Sequence, residues 1–404
     1  MFSNRYVRTI MISRVLLQLA IWVRNFAVLL YVTDLTNNNS LYVSLISVVE
    51  FGPIFLFAII GGAFADRWRP KRTMAWSDLL SALSVIAVLI AVLNGEWIAL
   101  LIGTFVSASL SQFSQPSAMK LYKRHVSDEQ LPAVMALSQT LVGIFTVIGP
   151  MIGAAIYLRY GIEASLWLTV VLFLGSSLVL TMLLKDLAEP KAGRGRSIFN
   201  DMAEGLRYIR ASKPLRTLGS TFAVSGLAIG LIQPLAIFIV MEKLGQDKAY
   251  LQWFMMANGA AMLVGGALLM NIAKKVTPQS LLAIGLLVSA VCTIGVGGSE
   301  SLILTFVLQA VSGLFYPCIQ VGIQTMLMRN TEGPYIGRVS GAIMPIFMGM
   351  MVIGMMAGGL FKNFSSLFIV YTVSGCLLVV GAALLLPVLS KKPQSPELSS
   401  TRSI

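Results

Sequence analysis

Apolar runs long enough to cross a bilayer follow one another along almost the whole chain, and they leave room for few architectures. A spanning helix needs about 20 residues, and lipid offers backbone N–H and C=O groups no partner, so only helices or a closed barrel can cross. The runs show no period-two alternation, which removes the barrel. Twelve helices are read, the first over 10–32 and the last over 364–389. Composition supports this: 56% of the 404 residues are hydrophobic, only 12% are charged, and mean hydropathy is +0.81. A soluble domain carries roughly twice that share of charge. The expected fold class is an all-α membrane protein with twelve transmembrane helices.

The basic residues sort by loop. On the two ends and alternate loops (near 65–73, 118–131, 185–216, 274–278 and 328–338) there are 24 Lys and Arg; the other six loops hold 4. Under the positive-inside rule this places both termini in the cytoplasm of a cell, with the chain in its membrane. The net charge of +13 is thereby a record of topology, and nucleic acid is not an expected partner.

Several chemistries lack their parts. Cys292, Cys318 and Cys376 all lie in apolar runs, against a disulfide framework or zinc site. His125 is the only histidine, so a His-based metal site or hydrolytic triad cannot be assembled. No GxxxxGK[ST] run is present for ATP. No enzymatic activity and no cofactor or metal is expected.

The chain reads as a duplication. Gln115-Pro116 in the fourth run is echoed by Tyr316-Pro317 in the tenth, and the next run of each half carries a Gly/Pro interruption, Gly149-Pro150 and Pro345 with Gly349. Two pseudo-symmetric six-helix bundles are expected, at 1–184 and 215–389, with a cytoplasmic linker at 185–214 and a cytoplasmic tail at 390–404. Within the linker, Ile198, Phe199, Met202, Leu206 and Ile209 recur at helical spacing beside Arg207, Arg210 and Lys213. That pattern predicts an amphipathic helix on the inner leaflet, or a plain tether.

Between the second and third runs stands Gly61-Gly62-Ala63-Phe64-Ala65-Asp66-Arg67-Trp68-Arg69-Pro70-Lys71-Arg72. A glycine followed four residues later by Asp-Arg and then a basic pair resembles the signature loop of the major facilitator superfamily. Arg69 and Pro70 depart from the usual glycine of that loop. Gly143 and the stretch Gly149-Pro150-Met151-Ile152-Gly153 are similar to the helix-five motif of its antiporter branches. Trp76-Ser77-Asp78-Leu79, Ser127-Asp128-Glu129-Gln130-Leu131, the linker stripe and Ile336-Gly337-Arg338-Val339 resemble the bacterial macrolide-efflux-like subgroup, across essentially the whole chain. The resemblance implies the major facilitator fold and export of drug-like compounds against protons. It also implies a gating role for Gly62, Asp66, Arg67, Lys71 and Arg72, with Asp66 locking near Arg338.

Ionisable residues inside a span are expensive and are default functional candidates. Here they are Arg14, Arg24 and Glu50, with Asp34 and Asp78 nearer helix ends. Arg24 and Glu50 each lie about eight residues from the outer end of their helices, roughly 12 Å deep, so they can meet. Glu50 is then either a proton carrier beside Arg24 or half of a permanent ion pair; Asp34 is a weaker coupling candidate. Gln112, Gln115, Gln139, Gln233, Asn258, Gln309, Gln320 and Gln324 fall inside spans and could line a substrate cavity or bind helices together.

The expected function is a secondary exporter, a proton antiporter for small amphipathic compounds acting as a monomer in the bilayer. An exporter of a specific metabolite or siderophore is the alternative within transport, and a non-transporting membrane sensor or scaffold the alternative outside it.

Overall fold

The computed structural model describes residues 4–67, 69–182, 198–272 and 276–385, without the side chains of 58–67, 198–202, 271–272 and 334. Its elements in chain order are α1 (Arg5–Leu35), α2 (Ser40–Arg67), α3 (Pro70–Leu93), α4 (Ala99–His125) and α5 (Leu131–Thr181). They continue with α6 (Ile198–Ala211), α7 (Lys213–Ile232), α8 (Ala236–Phe238), α9 (Leu251–Ile272), α10 (Pro278–Gly298), α11 (Leu302–Arg329), α12 (Ile336–Phe364) and α13 (Leu367–Ala383).

Local chemistry sets the helix ends. Asn4 caps α1 by accepting from the Tyr6 amide at 2.9 Å, and Thr277, Ser301 and Ser366 accept from amides at the starts of α10, α11 and α13. The α1–α2 turn carries Asn37 and Asn38 at φ 50° and 61°, a left-handed conformation asparagine tolerates. Arg69, where the family signature has glycine, has φ −70° and ψ 116°, so the position makes no demand for glycine; Pro70 follows as the first residue of α3.

Among the described residues nine helices are long and apolar enough to cross a membrane. One of them crosses twice. The 51 residues of α5 would reach about 76 Å if straight, more than twice the hydrocarbon thickness. At Gly161 the backbone takes φ 79° and ψ −174°, which ends one arm and begins the next. The 27 residues of α4 and the 17 of α13 complete twelve crossings of a multi-pass membrane protein.

The packing repeats. In the first half α1 lies along both arms of α5, α3 pairs with α4 and with α5, and α2 with α4. In the second half α7 lies along α12 and α13, α10 pairs with α11 and with α13, and α9 with α11. Counting the arms of α5 separately, each first-half pair has its counterpart six spans later. Pro116 in α4 and Pro317 in α11 occupy corresponding helices. The halves meet through α2 against α12 and α5 against α9, themselves a corresponding pair of contacts.

After α7 the chain leaves regular helix at Pro234: a 3-10 turn (Gln233–Leu235), the single turn α8 and a π turn (Ile239–Lys243) finish this crossing. Irregular backbone at such depth is tolerated where it faces protein or a cavity.

Candidate functional site

A cavity of about 410 Å³ lies between the halves, within the range of small-molecule sites. Its wall takes Trp22, Asn25 and Phe26 from α1, Glu50 and Phe51 from α2, and Thr146 from α5. From the second half come Gln233, Pro234, Ala236, Ile237, Phe254, Asn258, Cys292, Gln309, Tyr316 and Tyr371. Most of this surface is aliphatic or aromatic; Glu50 is the one carboxylate on it among the described residues.

Glu50 and Arg24 are neighbours that do not touch directly. Arg24 is 3% exposed and turned into the first bundle, beside Val28, Val85, Val88, Leu100, Thr104 and Leu166. Its Nε and Nη2 both donate to Oδ1 of Asn25, at 3.1 and 2.8 Å, and Nδ2 of Asn25 donates to Oε1 of Glu50. Adjacent positions on a helix point about 100° apart, so Arg24 enters the core while Asn25 reaches the cavity. Asn25 carries no charge, and the sequence reading passed over it. Its signal was a second polar residue beside Arg24 in an apolar run.

The helix-five glycines set where α1 runs. A Cβ on Gly153 would stand 2.7 Å from the Trp22 carbonyl oxygen and 2.8 Å from the Phe26 Cβ, and one on Gly149 would overlap the Trp22 indole. Gly143 faces Leu263 of α9 across the join between halves. Close approach at Gly149 and Gly153 therefore brings Trp22, Asn25 and Phe26 to the cavity wall. Among the amides, Gln233, Asn258 and Gln309 line the cavity, and Asn258 Nδ2 donates to the Gln309 carbonyl at 3.1 Å. Gln112, Gln115, Gln139 and Gln320 lie off this wall. Gln115 accepts from Arg14 Nη1 at 3.2 Å, and Gln320 donates at 2.7 Å to the hydroxyl of Tyr316, which is on the wall. Asp78, 2% exposed, accepts from Ser176 Oγ at 2.6 Å inside the first bundle and away from the cavity.

The face that carries few basic residues is bridged between halves. Lys248, just before α9, pairs with Asp34 at the end of α1; the Tyr157 hydroxyl donates to Asp34 at 3.4 Å, and the Lys248 ammonium sits 5.6 Å from the Tyr157 ring centre. Nearby, Ser40 Oγ of α2 lies 3.0 Å from the Gly359 carbonyl and 2.8 Å from Asn363 Oδ1, both on α12. Asp34 is thus tied to the second half at the rim rather than placed at the depth of Glu50.

On the basic face, the side chains of Gly62, Asp66 and Arg67 lie outside the described residues. Lys71 Nζ donates to the Thr181 carbonyl at 3.0 Å, joining the start of α3 to the end of α5, and Arg72 is exposed. Arg338 Nη1 donates to Glu204 of α6 at 3.2 Å. Tyr208 stacks on Tyr335 with ring centres 4.6 Å apart, Ile209 is buried with Leu215, Leu218, Val339 and Ala342, and a Cβ on Gly205 would overlap the Arg338 carbonyl. The linker helix is therefore seated on the start of α12, with Arg207 and Arg210 exposed. Of its apolar stripe, Ile198, Phe199 and Met202 have side chains outside the described residues.

Two six-helix halves around one central cavity is a transporter arrangement, and the sequence model of the Major Facilitator Superfamily matches residues 10–231 and 218–403. The chain belongs to the Major Facilitator Superfamily. It is 26% identical over 360 residues to the uncharacterized MFS-type transporter YkuC of Bacillus subtilis, covering 86% of this chain and 83% of that one. It is 24% identical over 369 residues to macrolide efflux protein A of Streptococcus pyogenes, covering 87% and 88%. Its identity to the multidrug efflux pump Tap of Mycolicibacterium fortuitum is 26% over 325 residues, covering 76% and 77%. Among solved structures it superposes on a POT family transporter in complex with 5-aminolevulinic acid at TM-score 0.77 with 12% identity, covering 96% and 97%. The nucleoside transporter NupG gives 0.76 with 10% identity, covering 95% and 99%. At these identities the structures show the fold alone.

As a superfamily transporter, the chain carries its central cavity where parallel repeats of this kind enclose one. The contacts of α2 with α12 and of α5 with α9 flank that cavity.

Proposed function

We propose that this chain is a secondary active exporter that moves amphipathic, drug-like compounds outward in exchange for protons. The observation that carries the reading is Glu50: one carboxylate, held by Asn25 beside a buried arginine, on the wall of an otherwise apolar cavity shared by both bundles. A lone intramembrane carboxylate open to a cavity is suited to trade a proton for a ligand as the cavity changes face. The apolar and aromatic wall, with Gln233, Asn258 and Gln309 as scattered amides, suits a bulky amphipathic ligand that needs no fixed ion partner.

The basic face is assigned to the cytoplasm by its excess of Lys and Arg. The Asp34–Lys248 bridge then closes the outer face, and the cavity loads from within. Asp66, Arg67, Lys71 and Arg72 are assigned to the cytoplasmic gate, together with Arg338 at the start of α12. The low identities to a macrolide efflux protein and a multidrug pump support the export direction, and the chain is taken to work as a monomer without catalysis.

The test is purified protein in liposomes with an imposed pH gradient, offered the macrolide erythromycin and a fluorescent amphipathic dye. Wild type should accumulate at least one of them only when the gradient is present. Glu50→Gln should lose this gradient-driven accumulation while keeping substrate counterflow. Gradient-driven accumulation by Glu50→Gln at the wild-type rate would remove Glu50 from the coupling step.

A further inference from the structure

Asn25 is held in one orientation by its neighbours. Its Oδ1 accepts two guanidinium N–H groups, so turning the amide over would set its NH2 group against a cation that has only donors. Oδ1 is thereby committed to Arg24, and Nδ2 to Glu50. Arg24 itself lies in the first bundle; its Nη1 is shielded from solvent and has no hydrogen-bond partner among the described residues. Its charge reaches the cavity wall through one amide. Glu50 receives a neutral donor on Oε1 in place of a direct ion pair, which leaves the carboxylate stabilised but not locked.

We infer that Asn25 is a positioning residue for proton exchange, a fixed amide relay that lets buried Arg24 set how readily the cavity carboxylate gives up its proton. The inference rests on the exporter reading of Glu50. The amide is the one hydrogen-bond partner of Glu50 among the described residues, so its fixed position sets where the carboxylate stands on the wall and couples that carboxylate to Arg24. Other groups that could act on Glu50 are the Tyr316 and Tyr371 phenols and the Cys292 thiol, on the cavity wall from α11, α13 and α10. The charged residues of α4, from Lys120 to His125, and Arg338 and Lys362 of α12 stand near their helix ends.

The test uses Asn25→Asp in full-length protein in liposomes. This variant keeps an oxygen for Arg24 and so keeps the buried guanidinium paired, while it removes the donor to Glu50 and adds a like charge. The pH at which gradient-driven transport of erythromycin or dye is half-maximal, normalised to counterflow by the same variant, should shift by about one unit or more, a tenfold change in proton concentration. Counterflow, which needs no proton, is measured on each variant alongside, so that any effect of the new side chain on substrate binding at the cavity wall is divided out. Asn25→Ser, which shortens the side chain without adding charge, should move the midpoint in the same direction and by less. An unchanged midpoint in both variants, or loss of counterflow together with uptake in both, would overturn the relay. Failure of wild type to respond to the pH gradient would instead overturn the exporter reading beneath it.

Discussion

Neutralising Asp34 opens the most direct view of how the bundles move. Asp34 belongs to the first half and Lys248 to the second, so every outward opening must part them. The Asp34 side chain is 49% exposed and the Lys248 side chain 16% exposed, so the pair is well hydrated on one side and partly shielded on the other. Exposed pairs are worth about 0.2–1 kcal/mol, and the Tyr157 hydroxyl and ring contacts place this one toward the upper end, at about 1 kcal/mol. That energy corresponds to roughly a fivefold change in the ratio of closed to open outer faces. Asp34→Asn leaves the Lys248 ammonium, 16% exposed and beside the Tyr157 ring, partly hydrated rather than deeply buried, so the variant should fold and insert normally. Spin labels at Asn38 and Glu300, in a background with Cys292, Cys318 and Cys376 replaced, would report the separation of the halves at that face. Asp34→Asn and Lys248→Met should each move population toward the longer separation by about that factor, and the double variant should go no further than either single one. An unchanged distance distribution in both single variants, or effects that simply add, would refute the latch.

Two further outcomes follow from the packing. Gly153→Leu has to place a side chain against the Trp22 carbonyl and Phe26, an overpacking cost of about 1–3 kcal/mol, and should lower thermal stability in detergent and weaken substrate binding together; loss of neither would detach the helix-five glycines from the cavity wall. Asp66→Asn should insert at normal levels and slow turnover several-fold in the liposome assay, and unchanged turnover would take Asp66 out of the gate.

Much of the fold was legible because lipid makes hydrophobic length a strict criterion: twelve runs, a long polar break after the sixth, and prolines echoed in corresponding helices. The crossing at α7 to Lys243 shows where that criterion stops, since a run of apolar residues does not reveal that the helix passes into 3-10 and π turns beside a cavity. Depth counting brought Arg24 and Glu50 to one level, because a rise of 1.5 Å per residue is enough for that. It could not place Asn25 between them, since an uncharged amide in a span reads equally well as packing glue. The Asp34–Lys248 bridge was illegible for another reason: its partners are 214 residues apart and both sit near helix ends, where solvation is the ordinary fate of a charge. The linker stripe was visible at Leu206 and Ile209, but hydrophobic spacing cannot say whether a helix lies on lipid or on protein. Here Gly205 and Tyr208 seat it on α12. The amides divided in the same way, Gln233, Asn258 and Gln309 facing the cavity and Gln115 answering Arg14 elsewhere.

The claim at the centre is that ligand and proton exchange through Glu50, and proton movement itself tests it. Protein in liposomes that enclose a pH-sensitive dye, given an erythromycin or amphipathic-dye gradient and no imposed pH difference, should move protons against the direction of substrate flow. Glu50→Gln should carry the same substrate in counterflow with no proton signal. Substrate flux through wild type without any proton movement would contradict the account.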